Sequence, residues 1–176
     1  SLIKQLQQQY KILFSDHNLK VNLKGITNSS RMLISSGDLT FDSCKESLKE
    51  EGIKADIATF VQEIKKMNLR NSVFIDCTAD AKVASQYSEL LSGYVSVVTA
   101  NKIACSSAYE YYLRLKNIAS VKGVRFMYET TVGAGLPIIK TISDLILSGD
   151  KIHKIEAVLS GTLNFIFNEL SSELPL

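Results

Sequence analysis

The chain has 176 residues, 45% of them hydrophobic, and this length suits one domain of ordinary size or one domain with part of a second. Charge is nearly balanced, with 20 basic and 18 acidic residues and no basic cluster, which argues against nucleic-acid binding. No apolar run is long enough to span a membrane, and the three cysteines and two histidines show no zinc or disulfide spacing. We therefore expect a cytoplasmic α/β domain with reduced thiols and no membrane partner.

The N-terminal part of the chain predicts three helices, a strand and a polar loop. Residues 2–13 have an amphipathic helical pattern, and the alternating, β-branched residues 21–27 predict a strand. Residues 28–43 are polar and turn-rich, so we expect a loop there, followed by a short helix near residues 44–49. Apolar residues at helical spacing predict another helix within residues 55–68.

From residue 72 onward, short apolar runs alternate with helical patterns. Residues 72–76 are typical of a buried parallel strand, residues 83–91 present one apolar helix face that Gly93 ends, and residues 94–99 predict the next strand. Ser107 and Glu110 have the spacing of a capping box for the following helix. The remaining predictions are a strand at 124–128, a helix at 137–148, a strand at 152–159 and a helix from 162 onward.

Regular alternation of strands and helices predicts a parallel, doubly wound sheet. In such sheets, ligands bind beyond the carboxyl ends of the strands. Three polar segments follow predicted strands there: residues 76–78, 99–102 and 129–135. We expect these segments to meet at one crevice.

The same segments carry a family resemblance. Residues 76–87 (DCTADAKVASQY), 97–112 (VVTANKIACSSAYEYY) and 128–170 (YETTVGAGLPII through SGTLNFIFNEL) resemble homoserine dehydrogenase in the form fused to aspartokinase. The similarity is continuous over about residues 72–170 and fainter over 1–71. It implies an incomplete Rossmann-like NAD(P)-binding domain at residues 1–128, followed over residues 129–176 by the beginning of an α/β catalytic domain that also mediates dimerisation.

The phosphate-binding turn of a dinucleotide fold is missing from this sequence. No G-x-G-x-x-G motif occurs within the 176 residues. The resemblance implies that the first strand and glycine turn precede Ser1, and that the substrate-binding acidic cluster and a catalytic lysine follow Leu176. We accordingly expect weak cofactor binding and little turnover from these residues alone.

Two residues are the main candidates for chemistry at the crevice. The resemblance implies that Thr78 lies beside the nicotinamide or its ribose and that Lys102 contacts cofactor and substrate, where an ammonium group can stabilise negative charge on an alkoxide oxygen. Residue type alone leaves simpler alternatives open. Thr78 fits a cap of the next helix, and Lys102 fits a solvated surface residue.

The glycine turn after residue 128 has two interpretations. Its leading carboxylate suits a hard cation better than a phosphate, and the resemblance implies a sodium ion held by Glu129 and the carbonyl oxygens of Val132, Ala134 and Leu136. The alternative is a glycine-bent crossover in which Glu129 caps a helix. Both stay open at this point.

Cofactor preference is usually set after the second strand of such a fold. No carboxylate ends residues 21–27, and hydroxyl side chains and Arg31 follow, which favours NADP over NAD. Arg31 fits a solvated loop residue equally well. His153, between lysines, is expected at the surface.

The resemblance implies reversible, NAD(P)H-dependent reduction of aspartate semialdehyde to homoserine, in threonine, methionine and isoleucine biosynthesis, by a homodimer or higher oligomer. One alternative is a non-catalytic Rossmann-like regulatory or interaction module. Another is a different NAD(P)-dependent dehydrogenase of amino-acid metabolism.

Overall fold

The structure of the chain, a computed structural model, describes residues 2–170. The chain folds as two compact units, Ser1–Ser72 and Val73–Leu176. Helices and strands occur in both units, which confirms the predicted α/β class. Within the described residues, no helix is both long and apolar enough to cross a membrane.

The N-terminal unit contains a three-stranded antiparallel sheet with the order β1-β2-β3. Its strands are β1 (Leu23–Thr27), β2 (Arg31–Leu39) and β3 (Ile53–Lys54), and its helices are α1 (Leu2–Ser15), α2 (Cys44–Glu50) and α3 (Ile57–Lys66). The three helices and the strand β1 lie where the sequence predicts them. Apolar side chains from β2, α2 and α3 form the core of this unit: Met32, Cys44, Leu48, Phe60 and Val61.

The prediction of a loop over residues 28–43 is wrong for β2. The Asn28 side-chain oxygen accepts hydrogen bonds from the Ser30 and Arg31 amides, both at 2.8 Å, and so closes a tight turn after β1. The chain then returns antiparallel to β1, with Thr27 opposite Met32. Pairing in this unit is therefore antiparallel, where regular alternation had predicted parallel strands.

The C-terminal unit contains a parallel sheet with the order β4-β5-β6, as predicted for this region. The strands are β4 (Val73–Asp76), β5 (Ser96–Thr99) and β6 (Phe126–Met127). The helices are α4 (Ala81–Ala84), α5 (Tyr87–Ser92), α6 (Ile103–Ser106), α7 (Tyr109–Lys122), α8 (Ile138–Leu147) and α9 (Gly161–Glu169). Helices α5 and α7 pack together and supply much of the buried core: Tyr87, Leu90, Leu91, Leu115 and Ala119.

Four local predictions for this unit are wrong. One face of β4 is open, with Val73 53% and Ile75 44% exposed, rather than buried on both sides. The helix predicted over residues 83–91 is divided into α4 and α5. The capping box before α7 does not form, because the Ser107 hydroxyl donates to the Ala104 carbonyl at 3.2 Å instead. Finally, residues 152–159 form no strand and are exposed.

Candidate functional site

The carboxyl ends of the parallel strands form one edge of the C-terminal sheet. In the strand register, Asp76 pairs with Thr99 and Val98 pairs with Met127. The polar segments that follow these three strands therefore begin side by side. In open parallel sheets, ligands generally bind at this edge.

The segment after β4 turns tightly around the Asp76 carboxylate. The Thr78 amide donates to Asp76 Oδ1 at 2.7 Å, and the exposed Thr78 hydroxyl accepts from the Asp80 amide at 3.2 Å. Asp80, rather than Thr78, caps α4, since its carboxylate accepts from the Lys82 amide at 2.7 Å. Thr78 is therefore not the cap of α4, and the Thr78 hydroxyl lies at the edge of the sheet.

The segment after β5 places one buried and one exposed polar residue in succession. Asn101 is 1% exposed, and its side-chain nitrogen lies 3.5 Å from the Thr78 hydroxyl and 3.0 Å from the Asp80 carbonyl. Lys102 follows at the start of α6, with its side chain exposed. Among residues 2–170, no carboxylate forms an ion pair with Lys102. The edge thus presents a hydroxyl and an ammonium group on adjoining segments.

The segment after β6 reaches the same edge through the side chain of Thr130. Glu129–Thr131 forms a short 3-10 helix, and the Thr130 hydroxyl contacts the Thr99 carbonyl at 3.5 Å. The Glu129 side chain is turned to α8, where its two oxygens accept from the Ile139 and Lys140 amides, both at 2.9 Å. The structure therefore has the helix-capping arrangement for Glu129.

The proposed cation ligands that follow Glu129 lie in a turn with left-handed backbone at Gly133 (φ 66°) and Ala134 (φ 53°). The Leu136 carbonyl accepts a hydrogen bond from the Ile138 amide at 2.9 Å. Val132 ends the 3-10 helix in an extended conformation. Residues 2–170 contain no cluster of three or more His, Cys, Asp or Glu side chains suited to a metal ion.

Sequence reasoning missed the role of Tyr87. Its spacing marked it only as part of an apolar helix face, yet its hydroxyl donates to Asp76 Oδ2 at 2.6 Å and lies 2.7 Å from the Thr99 hydroxyl. Burial, reinforced by the bond to Asp76, raises the pKa of the Tyr87 phenol far above its ordinary value, so the phenol stays neutral. Nothing in the spacing distinguishes this tyrosine from an apolar core residue.

Two further residues from the sequence analysis are outside the three segments that form this edge. Arg31 belongs to the N-terminal unit, where its Nη1 donates to the Gly52 carbonyl at 2.9 Å. His153 is exposed, as predicted. Of the thiols, Cys77 is exposed beside Thr78, whereas Cys44 is buried.

Comparison with known proteins gives matches along almost the whole chain. Residues 1–129 match the family model "Homoserine dehydrogenase, NAD binding domain", and residues 137–175 match the model "Homoserine dehydrogenase". A bifunctional aspartokinase/homoserine dehydrogenase of Arabidopsis thaliana is 41% identical over 169 residues, which are 96% of this chain and 19% of that protein. The corresponding Haemophilus influenzae protein is 36% identical over 175 residues, which are 99% of this chain and 21% of that protein.

Solved structures give the same result. A hyperthermophilic archaeal homoserine dehydrogenase in complex with NADPH superposes with a TM-score of 0.62 at 25% sequence identity, covering 80% of this chain and 43% of that one. The chain spans about a fifth of the length of the curated relatives it matches, at 19% and 21%.

Proposed function

Since the chain belongs to the homoserine dehydrogenase family, we propose that it supplies the nicotinamide-binding edge of an enzyme that interconverts aspartate semialdehyde and homoserine. The observation that carries the proposal is the link between Asn101 and Thr78, which joins the segments after β4 and β5 beside the exposed Lys102. A hydroxyl and an exposed ammonium group at the carboxyl ends of parallel strands suit a polar cofactor headgroup and a small aldehyde.

The proposed roles follow from the chemistry of each side chain. The nicotinamide cofactor, when bound, supplies or accepts the hydride. Lys102 stabilises negative charge on the substrate oxygen as the carbonyl becomes an alkoxide, because an adjacent ammonium group favours that charge. Thr78 orients the nicotinamide or its ribose through its exposed hydroxyl. Asn101 fixes the backbone that carries Lys102.

NADP is the proposed cofactor in preference to NAD. β1 ends at Thr27 without a carboxylate, and the polar turn that follows leads to Arg31. The Gly52 carbonyl occupies one guanidinium donor of Arg31, which leaves others for a 2′-phosphate. A lower Kd for NADPH than for NADH, with the difference lost in Arg31→Ala, would support this preference.

The proposed ligands of a sodium ion are Glu129, Val132, Ala134 and Leu136. The hydrogen bonds observed in this turn fit a helix cap better than a bound cation. Both Glu129 oxygens and the Leu136 carbonyl already accept backbone hydrogen bonds. The amino end of α8, to which Glu129 points, also carries partial positive charge, which disfavours a cation. No step of the proposed reaction is routed through a cation.

We further propose a domain boundary between residues 128 and 129, supported by family models that end at residue 129 and begin at residue 137. Homodimerisation and a cytoplasmic location stay proposals from the family; the Arabidopsis relative is chloroplastic by name.

NADPH titration tests the cofactor part of the proposal. The chain has no tryptophan, so the fluorescence of the reduced nicotinamide can be followed without that intrinsic background. We expect weak but saturable binding, which Lys102→Met weakens a further tenfold or so, or about 1.4 kcal/mol. Lys122→Met is the matched control. Lys122 is the last residue of α7 and precedes β6, on the amino side of that strand, where it contacts Tyr94. Absence of saturable binding would favour the non-catalytic module.

The substrate part needs a chemical readout. Formation of reduced nicotinamide from NADP⁺ is expected at a low rate with homoserine and not at all with 2-aminobutyrate, which has the same carbon chain without the alcohol. Equal rates with both compounds, or oxidation of an unrelated alcohol in preference to homoserine, would contradict the proposed substrate.

A further inference from the structure

A buried carboxylate lies beneath the ligand-binding edge. Asp76, the last residue of β4, is only 1% exposed. It accepts hydrogen bonds from the Thr78 amide (2.7 Å), the Tyr87 hydroxyl (2.6 Å) and the Asn101 side-chain amide (3.1 Å). These three donors are uncharged and come from separate segments. Burying a carboxylate is costly unless such donors surround it, so the carboxylate and its donors must keep one arrangement.

Tyr87 extends this arrangement to the segment after β5. A phenol hydroxyl carries one hydrogen, and the Tyr87 hydroxyl donates it to Asp76. The 2.7 Å contact between the Tyr87 and Thr99 hydroxyls therefore requires the Thr99 hydroxyl to donate to Tyr87. The Thr99 oxygen in turn accepts the Asn101 amide at 2.8 Å. The hydrogen bonds therefore run in one direction, from the Asn101 backbone through Thr99 and Tyr87 to Asp76.

Asn101 connects this chain of hydrogen bonds with the exposed residues of the site. Its side-chain nitrogen contacts Asp76 and the Thr78 hydroxyl, while its side-chain oxygen accepts from the Ile103 amide at 3.1 Å. Lys102 lies between Asn101 and Ile103. The backbone on both sides of Lys102 is thus held by groups that Asp76 and Tyr87 fix from below.

We propose that Asp76 and Tyr87 are positioning residues for the cofactor site: the buried pair holds the Thr78 and Lys102 segments in register through Thr99 and Asn101. The inference rests on the proposed function. Both side chains are buried, at 1% and 0% exposure, so they act through Thr78 and Lys102 and do not contact a ligand themselves. A purely structural role explains the pair poorly, because well-packed apolar residues often match or exceed the stability that a buried charge provides.

Tyr87→Phe tests this inference, with Tyr111→Phe as the matched control. The Tyr111 hydroxyl also donates a hydrogen bond, to the Ala84 carbonyl at 2.8 Å. It makes no bond to the Asp76 cluster, which consists of Asp76, Tyr87, Thr99 and Asn101. We expect Tyr87→Phe to raise the Kd for NADPH about fivefold or more, with Tyr111→Phe leaving it unchanged. We also expect Lys102→Met to weaken binding less in the Tyr87→Phe background than in the wild type, since a displaced lysine contributes less.

Amide hydrogen exchange gives a readout that does not depend on the cofactor. Tyr87→Phe should speed exchange of the Thr78, Asn101 and Ile103 amides, each of which donates to this cluster, and Tyr111→Phe should not. Asp76→Asn, which keeps the shape and loses the charge, should have the same effect. If the wild type fails to bind NADPH while exchange changes as expected, the proposed function fails and the positioning of the edge stands.

The opposite pattern overturns the inference. If NADPH binds and Tyr87→Phe lowers stability without changing the Kd, or without faster exchange at those amides than Tyr111→Phe produces, the Asp76–Tyr87 pair is only a core contact.

Discussion

The carboxylate of Glu129 accepts a 2.9 Å hydrogen bond from the backbone amide of Ile139, ten residues later in the chain. Its second oxygen accepts from the next amide, so one side chain satisfies two of the unpaired donors at the start of α8. The residue N-terminal to α8, Pro137, provides no side-chain cap. Glu129 therefore supplies from a distance the cap that local sequence lacks.

Replacing Glu129 by Gln should destabilise α8. The variant keeps one acceptor oxygen but turns an amide group toward a backbone amide and loses the favourable interaction of a negative charge with the helix amino end. We expect a loss of about 1 kcal/mol in the free energy of unfolding, measured by chemical denaturation.

The same variant separates a helix cap from a sodium site. With a helix cap, wild type and Glu129→Gln should differ by the same amount in sodium chloride and in choline chloride of equal ionic strength. Stabilisation of the wild type by sodium alone, absent from the variant, would instead indicate that Glu129 binds the cation.

Asp56 gives the N-terminal unit a pH-dependent helix cap. Its carboxylate accepts from the Thr59 amide at 2.7 Å at the start of α3, and this bond holds the pKa of Asp56 below its ordinary value. A lowered pKa in the folded state means stabilisation that is present above the unfolded-state pKa, about 3.9, and is lost as pH falls through the folded value.

Asp56→Asn checks this sign. Asn also caps helices but does not titrate. The wild type should have the higher Tm near pH 7, and the gap should shrink as thermal scans are taken from pH 5 down to about pH 2, below the ordinary aspartate value. A gap that stays constant over this range would show that the Asp56 carboxylate contributes nothing through its charge.

The sequence predicts an element of this fold well where the interactions that determine the element are between residues close together in the chain. α3 is recognisable because its apolar residues repeat at helical spacing within the helix itself, and Asp56 caps it from the adjacent position. β2 is not, because its serines and glycine resemble a loop, and only pairing with β1 and β3 makes residues 31–39 a strand. Residues 152–159 show the converse: this segment is predicted as a strand, but no described strand pairs with it and it forms none.

The candidate site divides in the same way. Strand–helix alternation predicts that Thr78 and Lys102 share an edge, since strand ends of a parallel sheet meet there. The contacts of Tyr87 could not be predicted, because its hydroxyl contacts Asp76, eleven residues earlier in the chain, only when β4 and α5 have packed together. For Glu129, sequence left two roles open, and only the position of α8 favours the helix cap.

Gly123 ends α7 in the left-handed conformation, with φ at 66°. A Cβ there would meet nothing within 4 Å, so the cost of Gly123→Ala is conformational alone. We expect a loss of about 1 kcal/mol in unfolding free energy, with Gly123→Asn losing less because Asn tolerates this backbone region. Gly135→Ala is the control: it has equal space and no left-handed φ, and should be neutral or slightly stabilising. Equal effects at both glycines would argue against a left-handed C-cap at Gly123.

The packing of α5 against α7 predicts a large difference between two leucines of one helix. Leu115 is fully buried on α7, whereas Leu113 on the same helix is 45% exposed. Leu115→Ala removes methyl groups from a closed space, and we expect a loss of about 2–5 kcal/mol in unfolding free energy. Leu113→Ala should lose about 1 kcal/mol or less, because water already covers much of that side chain. Urea denaturation of both variants measures the difference, and similar losses would mean that α7 presents a different face to the sheet and α5.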